Sequence, residues 1–509
     1  MKLNYKRTIL VGFAFFLISA FWQAYDATIP VILTNKFGMS QTWSGVIMAL
    51  DNILAVFMLP LFGALSDKCL GNRFGKRTPF ITVGTTIAAI ALVCLSFVDA
   101  AQLQNISDVA ALDNPAALEV IYDTQADKQL QTPEGDSFVL SEQFTKDEFV
   151  AIRSDDGTSD YTNYVAPARQ AYAAERTQDN PVPLITFVML LLVVLVAMAT
   201  FRSPAVALMP DVTVKPLRSK ANAVINLMGT AGGILVLVLG MVFATSAVRN
   251  QLMNYTIYYC VIGGIMVGAL TVFLLTVREK AWSQQMMQES VALGLEEVDE
   301  DSSVKRKLST SEMRSLIFIL ASIALWYFGY NAVTSKYAVY AGNILNMDYN
   351  TTLLLAQAAA IVAYLPAGMV ASKIGRKKTI LAGVVMLTAA FGAAAFMRAG
   401  SSVLLMNILF ALAGIGWATI NVNSFPMVVE MCSGGDIGKY TGFYYTASMS
   451  AQIVTPMLSG FMMDQMGMTV LFPYAAIFVA LAFVTMLLVK HGDAKIVAKK
   501  GLEALDIDD

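Results

Sequence analysis

Two carboxylates sit where an apolar chain tolerates them least. Asp26 lies in FWQAYDATIP and Asp51 in MALDNILAV, each inside a long apolar run. A charge held in hydrocarbon costs at least a few kcal/mol, so an acid there usually marks function. Gln23 precedes Asp26 by about one helical turn and Pro30 follows it by one, on the same face, with Trp22 and Tyr25 flanking the stripe. An acid, an amide and aromatic rings on one face suit a sugar: the polar groups bond hydroxyls and the rings cover the apolar side of the pyranose. Asp51, beside Asn52, has the chemistry of a cation-coupling group, because a carboxylate held away from water can take up and release a proton. Asp51 and Asp26 are therefore the candidate coupling residues. The competing account of either is a polar contact between helices, or for Asp26 a position near the outer surface.

Neutral polar and aromatic residues recur at helical spacing in other apolar runs: Asn222, Asn226 and Thr230; Trp326, Tyr330 and Asn331; Gln357; Trp417 and Asn421; Tyr444, Ser448 and Gln452. With Gln23, Asp26 and Asn52, the candidate substrate-binding set is Asn226, Trp326, Tyr330, Asn331, Gln357, Trp417, Asn421 and Gln452. Singly, such residues also serve helix packing. As a set they favour an uncharged polyhydroxylated solute. Lys336, in FGYNAVTSKYAVY, has two equal accounts, a place at the outer interface and snorkelling.

The elements that must position these residues are membrane spans. Of 509 residues, 56% are hydrophobic and only 14% charged, against about 25% charged in a soluble globular chain. Mean hydropathy is +0.60. Twelve apolar runs approach the roughly 20 residues needed to span a bilayer: 8–34, 41–65, 79–99, 184–209, 220–247, 254–277, 313–338, 350–371, 378–398, 401–425, 440–464 and 468–490. Basic residues cluster before the first run (Lys2, Lys6, Arg7) and after the even-numbered ones (Lys68 to Arg77, Lys215 to Lys220, Arg278 and Lys280, Lys373 to Lys378, Lys439, Lys490 to Lys500). The intervening loops hold only isolated basic residues such as Lys36, Arg249 and Arg398. The positive-inside rule then puts both termini in the cytoplasm of a multi-pass plasma-membrane protein. The first run is too long for a signal peptide.

Four scattered cysteines and one histidine, His491 in the tail, give neither a disulfide framework nor a metal-ligand spacing. No phosphate loop or nucleophile motif is present, so neither an enzyme nor an ATP-driven pump is expected. No cofactor or nucleic-acid partner is implied, and a monomer is expected.

Residues 1–277 form a first six-span half, with an acidic outer insertion at 100–183 that holds short strands at Leu118–Tyr122 and Ser137–Leu140. It reads as an inert outer loop or, more sharply, as a lid over the pathway. Residues 278–312 are a cytoplasmic linker, 313–490 the second half and 491–509 a tail. The halves repeat. GALSDKCLGNRFGKRTPF at 63–80 is echoed by GMVASKIGRKK at 368–378, each after a proline, Pro60 and Pro366. FRSPAVALMPD ends the fourth span as NSFPMVVEMC ends the tenth, placing Asp211 and Glu430 alike. Two related halves joined by a linker is the layout of an alternating-access transporter.

The 63–80 stretch resembles the loop signature of the major facilitator superfamily, G-x-x-x-D-[basic]-x-G-[basic]-[basic], with extra residues inserted, and it falls between spans 2 and 3. SDKC ahead of RFGKRTPFI, with SPAVALMPD, is most similar to sucrose-type proton symporters and the related glycoside–cation symporters. The resemblance implies an all-α, twelve-helix fold and a cytoplasmic gate in which Asp67 faces the start of helix 11 near Gly438 to Thr441. Arg73, Lys76 and Arg77 would pair with Asp211, and Arg376 and Lys377 with Glu430. Arg202, near the inner end of span 4, is placed with the gate because a side chain there can snorkel. Ser372 stands where the first copy has Asp67, so the gate is expected to be one-sided. The expected activity is symport of a sugar or glycoside with a proton or Na⁺. A cation-coupled lipid carrier and a drug–proton antiporter are the alternatives.

Overall fold

The computed structural model describes residues 3–69, 71, 74–154, 159–214, 217–292, 308–429, 431 and 437–492. The first half holds α1 (Tyr5–Asn35), α2 (Gln41–Lys68) and α3 (Thr78–Asn105), then α9 (Val182–Asp211), α10 (Arg218–Val242) and α11 (Thr256–Thr276). Between α3 and α9 lies a folded module: α4 (Ser107–Ala110), α5 (Pro115–Gln125), β1 (Gln129–Gln131), β2 (Ser137–Val139), α6 (Leu140–Gln143), α7 (Lys146–Ala151) and α8 (Ala166–Asp179). Helix α12 (Glu279–Ala292) opens the linker. The second half is α13 (Thr310–Tyr340), α14 (Tyr349–Ile374), α15 (Arg376–Ala394), α16 (Val403–Val429), α17 (Ile437–Met466) and α18 (Leu471–Leu487).

Ten of these helices are long and apolar enough to cross a membrane, and α14 and α17, with 26 and 30 residues, complete the twelve by length. Their outward faces carry apolar stripes at helical spacing. Ile185, Met189, Val193 and Val196 on α9 and Ile477, Leu481, Val484 and Leu488 at α18 are all exposed. Such stripes are stable only against lipid, and the chain is a polytopic all-α membrane protein.

Packing repeats between the halves. Helix α1 packs on α10 and α11, α3 on α9 and α11, and α2 on α9; in parallel, α13 packs on α17 and α18, α15 on α16 and α18, and α14 on α16. Each half has its own apolar core, around Phe21, Leu92 and Phe201 in the first and Ile323, Leu387 and Phe472 in the second. Ala27 and Val31 of α1 cross over and join the second core. The halves meet along two symmetry-related seams, α2 with α17 and α10 with α14.

The bundle has a module end, beside residues 106–180, and an opposite linker end. The seams are tight near the module end. A Cβ on Gly45 would lie 2.0 Å from the Pro456 carbonyl oxygen, and one on Gly460 2.2 Å from that of Gln41, so only glycine allows α2 and α17 to approach this closely. Farther toward the linker end the α10 face that meets α14 at Gly240 and Gly233 continues to Asn226, which is exposed.

The module differs from its sequence reading. Leu118–Tyr122 is not a strand. Asn114 accepts a hydrogen bond from the Ala116 N–H and caps α5, whose Ala117, Leu118, Ile121 and Gln125 face a core of the module's own. Strand β2 does form, antiparallel to β1, with Leu130 opposite Phe138.

Candidate functional site

A cavity of about 180 Å³ lies where the halves face each other, lined by Trp22, Asp26, Met48, Asp51, Asn52, Arg202, Asn331, Thr334, Ser335, Gln452 and Pro456. Helix α1 brings Trp22 and Asp26 to one face because they are four residues apart. Helix α2 adds Asp51, whose Oδ1 accepts from Asn52 Nδ2 at 2.8 Å. Helix α9 adds Arg202, its guanidinium 5.6 Å from the Trp22 ring centroid. Arg202 also lies within electrostatic reach of Asp51. From the other half, Asn331, Thr334 and Ser335 of α13 share a face, and Gln452 and Pro456 of α17 are one turn apart.

Two kinds of unfilled bonding capacity point at this space. Trp22 Nε1 and Asn331 Nδ2 are buried without a protein acceptor, a costly state unless something polar enters. In addition, Pro30 and Pro456 lie inside α1 and α17. Lacking an N–H, they deprive the carbonyls four residues earlier, those of Asp26 and Gln452, of their helical donors.

Of the residues proposed from sequence, Asp26, Asp51, Asn52, Asn331 and Gln452 meet in the cavity. Gln23 and Gln357 form a bridge between the halves, Gln357 Nε2 donating to Gln23 Oε1 at 2.6 Å. Tyr330 stacks on Trp417, centroids 3.7 Å apart and planes 4° from parallel, as one aromatic slab. Asn421 hydrogen-bonds Tyr364, and Asn226 donates to Asn222 at 3.2 Å.

Two expectations fail. Trp326 is 1% exposed and packs inside the second-half core rather than lining the cavity. Arg202 does not belong to the gate. Helix α9 runs nine residues past it to Asp211, about 14 Å at the usual rise, so its guanidinium stays in the cavity. Thr334 and Ser335 went unremarked although they follow Asn331 at i+3 and i+4.

At the linker end Arg77 is the hub. Its Nε donates to Asp211 Oδ2 at 2.8 Å, and its two other nitrogens donate to Ser66 Oγ and Asp67 Oδ1. Lys76 Nζ lies 3.4 Å from Asp211. The expected pairing of the loop with Asp211 therefore forms. Glu279, a residue that the sequence reading missed, lies beneath the loop. Its carboxylate accepts from the backbone N–H groups of Lys76, Arg77 and Thr78 at 2.7, 2.8 and 2.7 Å, and from Thr78 Oγ1 at 2.7 Å. It thereby caps α3 from the linker helix. Arg7 holds the same helix by donating to the Trp282 carbonyl at 2.6 Å.

Arg73 and Glu430 lie outside the described residues, as do the side chains of Lys439 and Thr441. Asp67 is seen with Arg77 of its own half and is 61% exposed. Arg376 is buried at the start of α15. Lys377, expected at Glu430, donates to the carbonyls of Leu487 and Val489 at 2.9 and 2.6 Å.

At the module end the charges run between the halves. Asp464 of α17 accepts from the backbone N–H groups of Gln41 and Thr42 at 2.8 and 2.7 Å, capping α2 from the opposite half. Lys336, fully buried, donates to the Gln41 carbonyl at 2.7 Å. This is an internal contact, not a snorkelling one. On the second seam Ser246 Oγ donates to Asp348 Oδ1, and Thr245 bonds Tyr349 and Asn350. No group of three or more His, Cys, Asp or Glu residues able to hold a metal occurs among the described residues.

Residues 349–505 match the sequence model of the Major Facilitator Superfamily. A protein named MFS-type transporter ppzB from Metarhizium rileyi is 25% identical over 134 residues, 26% of this chain and 27% of the relative. Its namesake from Metarhizium majus is 27% identical over 134 residues, 26% of this chain and 29% of that protein. The match thus spans little more than a quarter of these relatives. The fold likeness is much broader. The inward-open xylose transporter XylE from E. coli matches over 99% of both chains at 15% identity and a TM-score of 0.57. A bacterial homologue of the iron transporter ferroportin, in an inward-facing state, matches over 96% of this chain and 99% of its own at 11% identity and a TM-score of 0.58. The sequence match to that family's model thus covers residues 349–505, and the likeness of fold to these transporters extends over nearly the whole chain.

Proposed function

We propose that this protein is a secondary transporter that carries a sugar or glycoside together with a cation, a proton or Na⁺, by alternating access. The observation that carries the reading is the composition of the central cavity. Two carboxylates and an arginine from the first half face amides and hydroxyls from the second, with two buried donors lacking protein partners. Such a lining matches a solute rich in hydroxyls and suits neither a lipid tail nor an apolar drug. Arg202 adds room for one acidic or strongly hydrogen-bonding substituent on that solute. The xylose–proton symporter among the structures of like fold is consistent with this class of cargo.

The linker end, with its basic loops, faces the cytoplasm on this reading. The structure is then the inward-facing state, with Asp464, Lys336 and Ser246 closing the outside. Loading Asp51 or Asp26 with the cation changes the charge opposite Arg202. Coupling arises because cation and solute each bind the two states unequally.

The test is uptake by the purified protein in liposomes, across a panel of sugars and glycosides, with and without proton or Na⁺ gradients. Gradient-driven accumulation of one of them is expected. Asp51→Asn should abolish accumulation while sparing exchange. Transport of lipid or drug with no sugar moved would end the proposal, and full concentrative uptake by Asp51→Asn would remove Asp51 as the coupling group.

A further inference from the structure

The module at 106–180 is attached very differently to the two halves. To the first it is welded. It is inserted between α3 and α9, and its core closes over Val248 and Leu252 from the loop between α10 and α11. Helix α8 lies against the turn between α1 and α2: Gln170 donates to Asn35 at 2.9 Å, and Gln102 of α3 donates to Thr177 at 3.0 Å. Gly38, at φ +65°, has no room for a Cβ, which would come 2.3 Å from the Ala174 nitrogen.

To the second half the module, in its described residues, offers its tips. The hairpin between β1 and β2 is stiffened by Gly135 N–H to the Thr132 carbonyl at 2.9 Å and Thr132 N–H to the Asp136 carbonyl at 2.8 Å. Its outermost backbone meets the turn between α17 and α18, where Met468 N–H donates to the Pro133 carbonyl at 2.7 Å. Gly467, at φ +84°, lies so close that a Cβ would fall 2.0 Å from the Glu134 carbonyl oxygen. Glu134 also faces Arg398, beyond α15, at 3.4 Å. The turn Tyr161–Val165 packs against Ala341–Leu345 at the end of α13. Among the described residues the module thus reaches all three turns that the second half presents at this end, through the hairpin backbone, one exposed ion pair and the Tyr161–Val165 contact.

We infer that the module is a strap. It moves as one body with the first half and clasps the second half only while the module end is shut, so it weights the equilibrium toward that closed state. The inference rests on the alternating-access reading. Opening the module end must separate α17 from α2, and the α17–α18 turn would carry Gly467 and Met468 away from Pro133 and Glu134. A welded side and a releasable side are what such a clasp requires, and its strength sets the population of the open state.

The test uses the full-length protein in liposomes, native cysteines replaced, with spin labels at Asn254→Cys on the first half and Ser402→Cys on the second. Distance distributions give the fraction open at the module end. Glu134→Lys sets like charges against Arg398 and should raise that fraction roughly threefold, the scale of an exposed ion pair. Gly467→Ala drives a methyl into the Glu134 carbonyl and should raise it roughly tenfold, with unchanged helical content as the control for folding. Conversely, a Pro133→Cys, Met468→Cys pair, oxidised to a disulfide, should abolish the open population until reductant restores it. Two distances whose ratio ignores all three changes would overturn the strap while leaving alternation intact. A single fixed distance in every variant would overturn both. Sugar uptake, measured separately, decides the transport reading by itself.

Discussion

The two ends of the bundle use the same kinds of groups to opposite effect. At the module end, Asp464, Lys336 and Ser246 reach from one half to the other. At the linker end, Arg77, Lys76, Asp67 and Asp211 pair inside the first half, and Glu279 ties the linker helix to the same cluster. On the alternating-access reading, contacts that cross the seam are made and lost as the halves rock, so they set the balance between states. Contacts within a half persist in both states and set its rigidity. On that reading the loop signature, among the described residues, is a brace, and the cap that Asp464 places on α2 is the gate.

That division is broken most forcefully at Arg77. Arg77→Ala leaves Asp211 with Lys76 alone, frees Asp67 to solvent and empties a buried site, and should lower unfolding stability by about 2–3 kcal/mol. This is less than the ~3–5 kcal/mol of a fully buried pair because both acids are partly exposed. Thermal unfolding in detergent measures it, and the open fraction at the module end should not move. Glu279→Ala removes the acceptor for three backbone donors and should cost about 1–2 kcal/mol, read as faster hydrogen exchange at Lys76, Arg77 and Thr78. A change in open fraction as large as that from Asp464→Ala would erase the distinction between brace and gate. Asp464→Ala should do the reverse of Arg77→Ala. It removes a helix cap worth about 0.5–2 kcal/mol, shifting the population toward the open module end by roughly two- to thirtyfold with little loss of unfolding stability.

The smallest effect concerns pH. Burial pushes the Asp348 carboxyl up, but hydrogen bonds from Ser246, Thr351 and Asn350 outweigh it and hold the group below its ordinary value of 3.8. A depressed carboxyl contributes its full stabilisation above the unfolded value and loses it as pH falls through the folded one. The Asp348 seam should therefore be constant from pH 8 to 5 and weaken only below about pH 4. Label distances across α10 and α14 would show it, and a Ser246→Ala protein should have the same flat profile in that range. A steep response between pH 5 and 8 in the Ser246→Ala protein would assign the titration to groups elsewhere.

The repeat was readable because apolar runs, prolines and basic loops are local signals. The cavity was half readable. Asp26 and Asp51 stand out by the cost of burying them, and Asn331 and Gln452 by helical spacing. Arg202 misled because a long side chain in the inner part of a span can snorkel to the surface, whereas its guanidinium lies over Trp22 in the cavity. Asp99 looked like the edge of a span. It is buried against Lys36 at 2.6 Å, and α3 runs on to Asn105. Glu279 and Asp464 left no signal, since each acts on backbone N–H groups about 200 and 420 residues away in the chain, where no pattern of side chains can announce it.

The Gln23–Gln357 bridge has a consequence for the unloaded protein. Under the proposed symport the carrier must reset empty after delivering its cargo, and the reset fails if desolvated groups are left with nothing to bond. The amide N–H of Gln357, bonded to the Gln23 carbonyl oxygen between α14 and α1, can exchange that partner for a hydroxyl of the solute and take it back when the solute leaves. On that reading the bond gives the vacant carrier a neutral contact between α1 and α14.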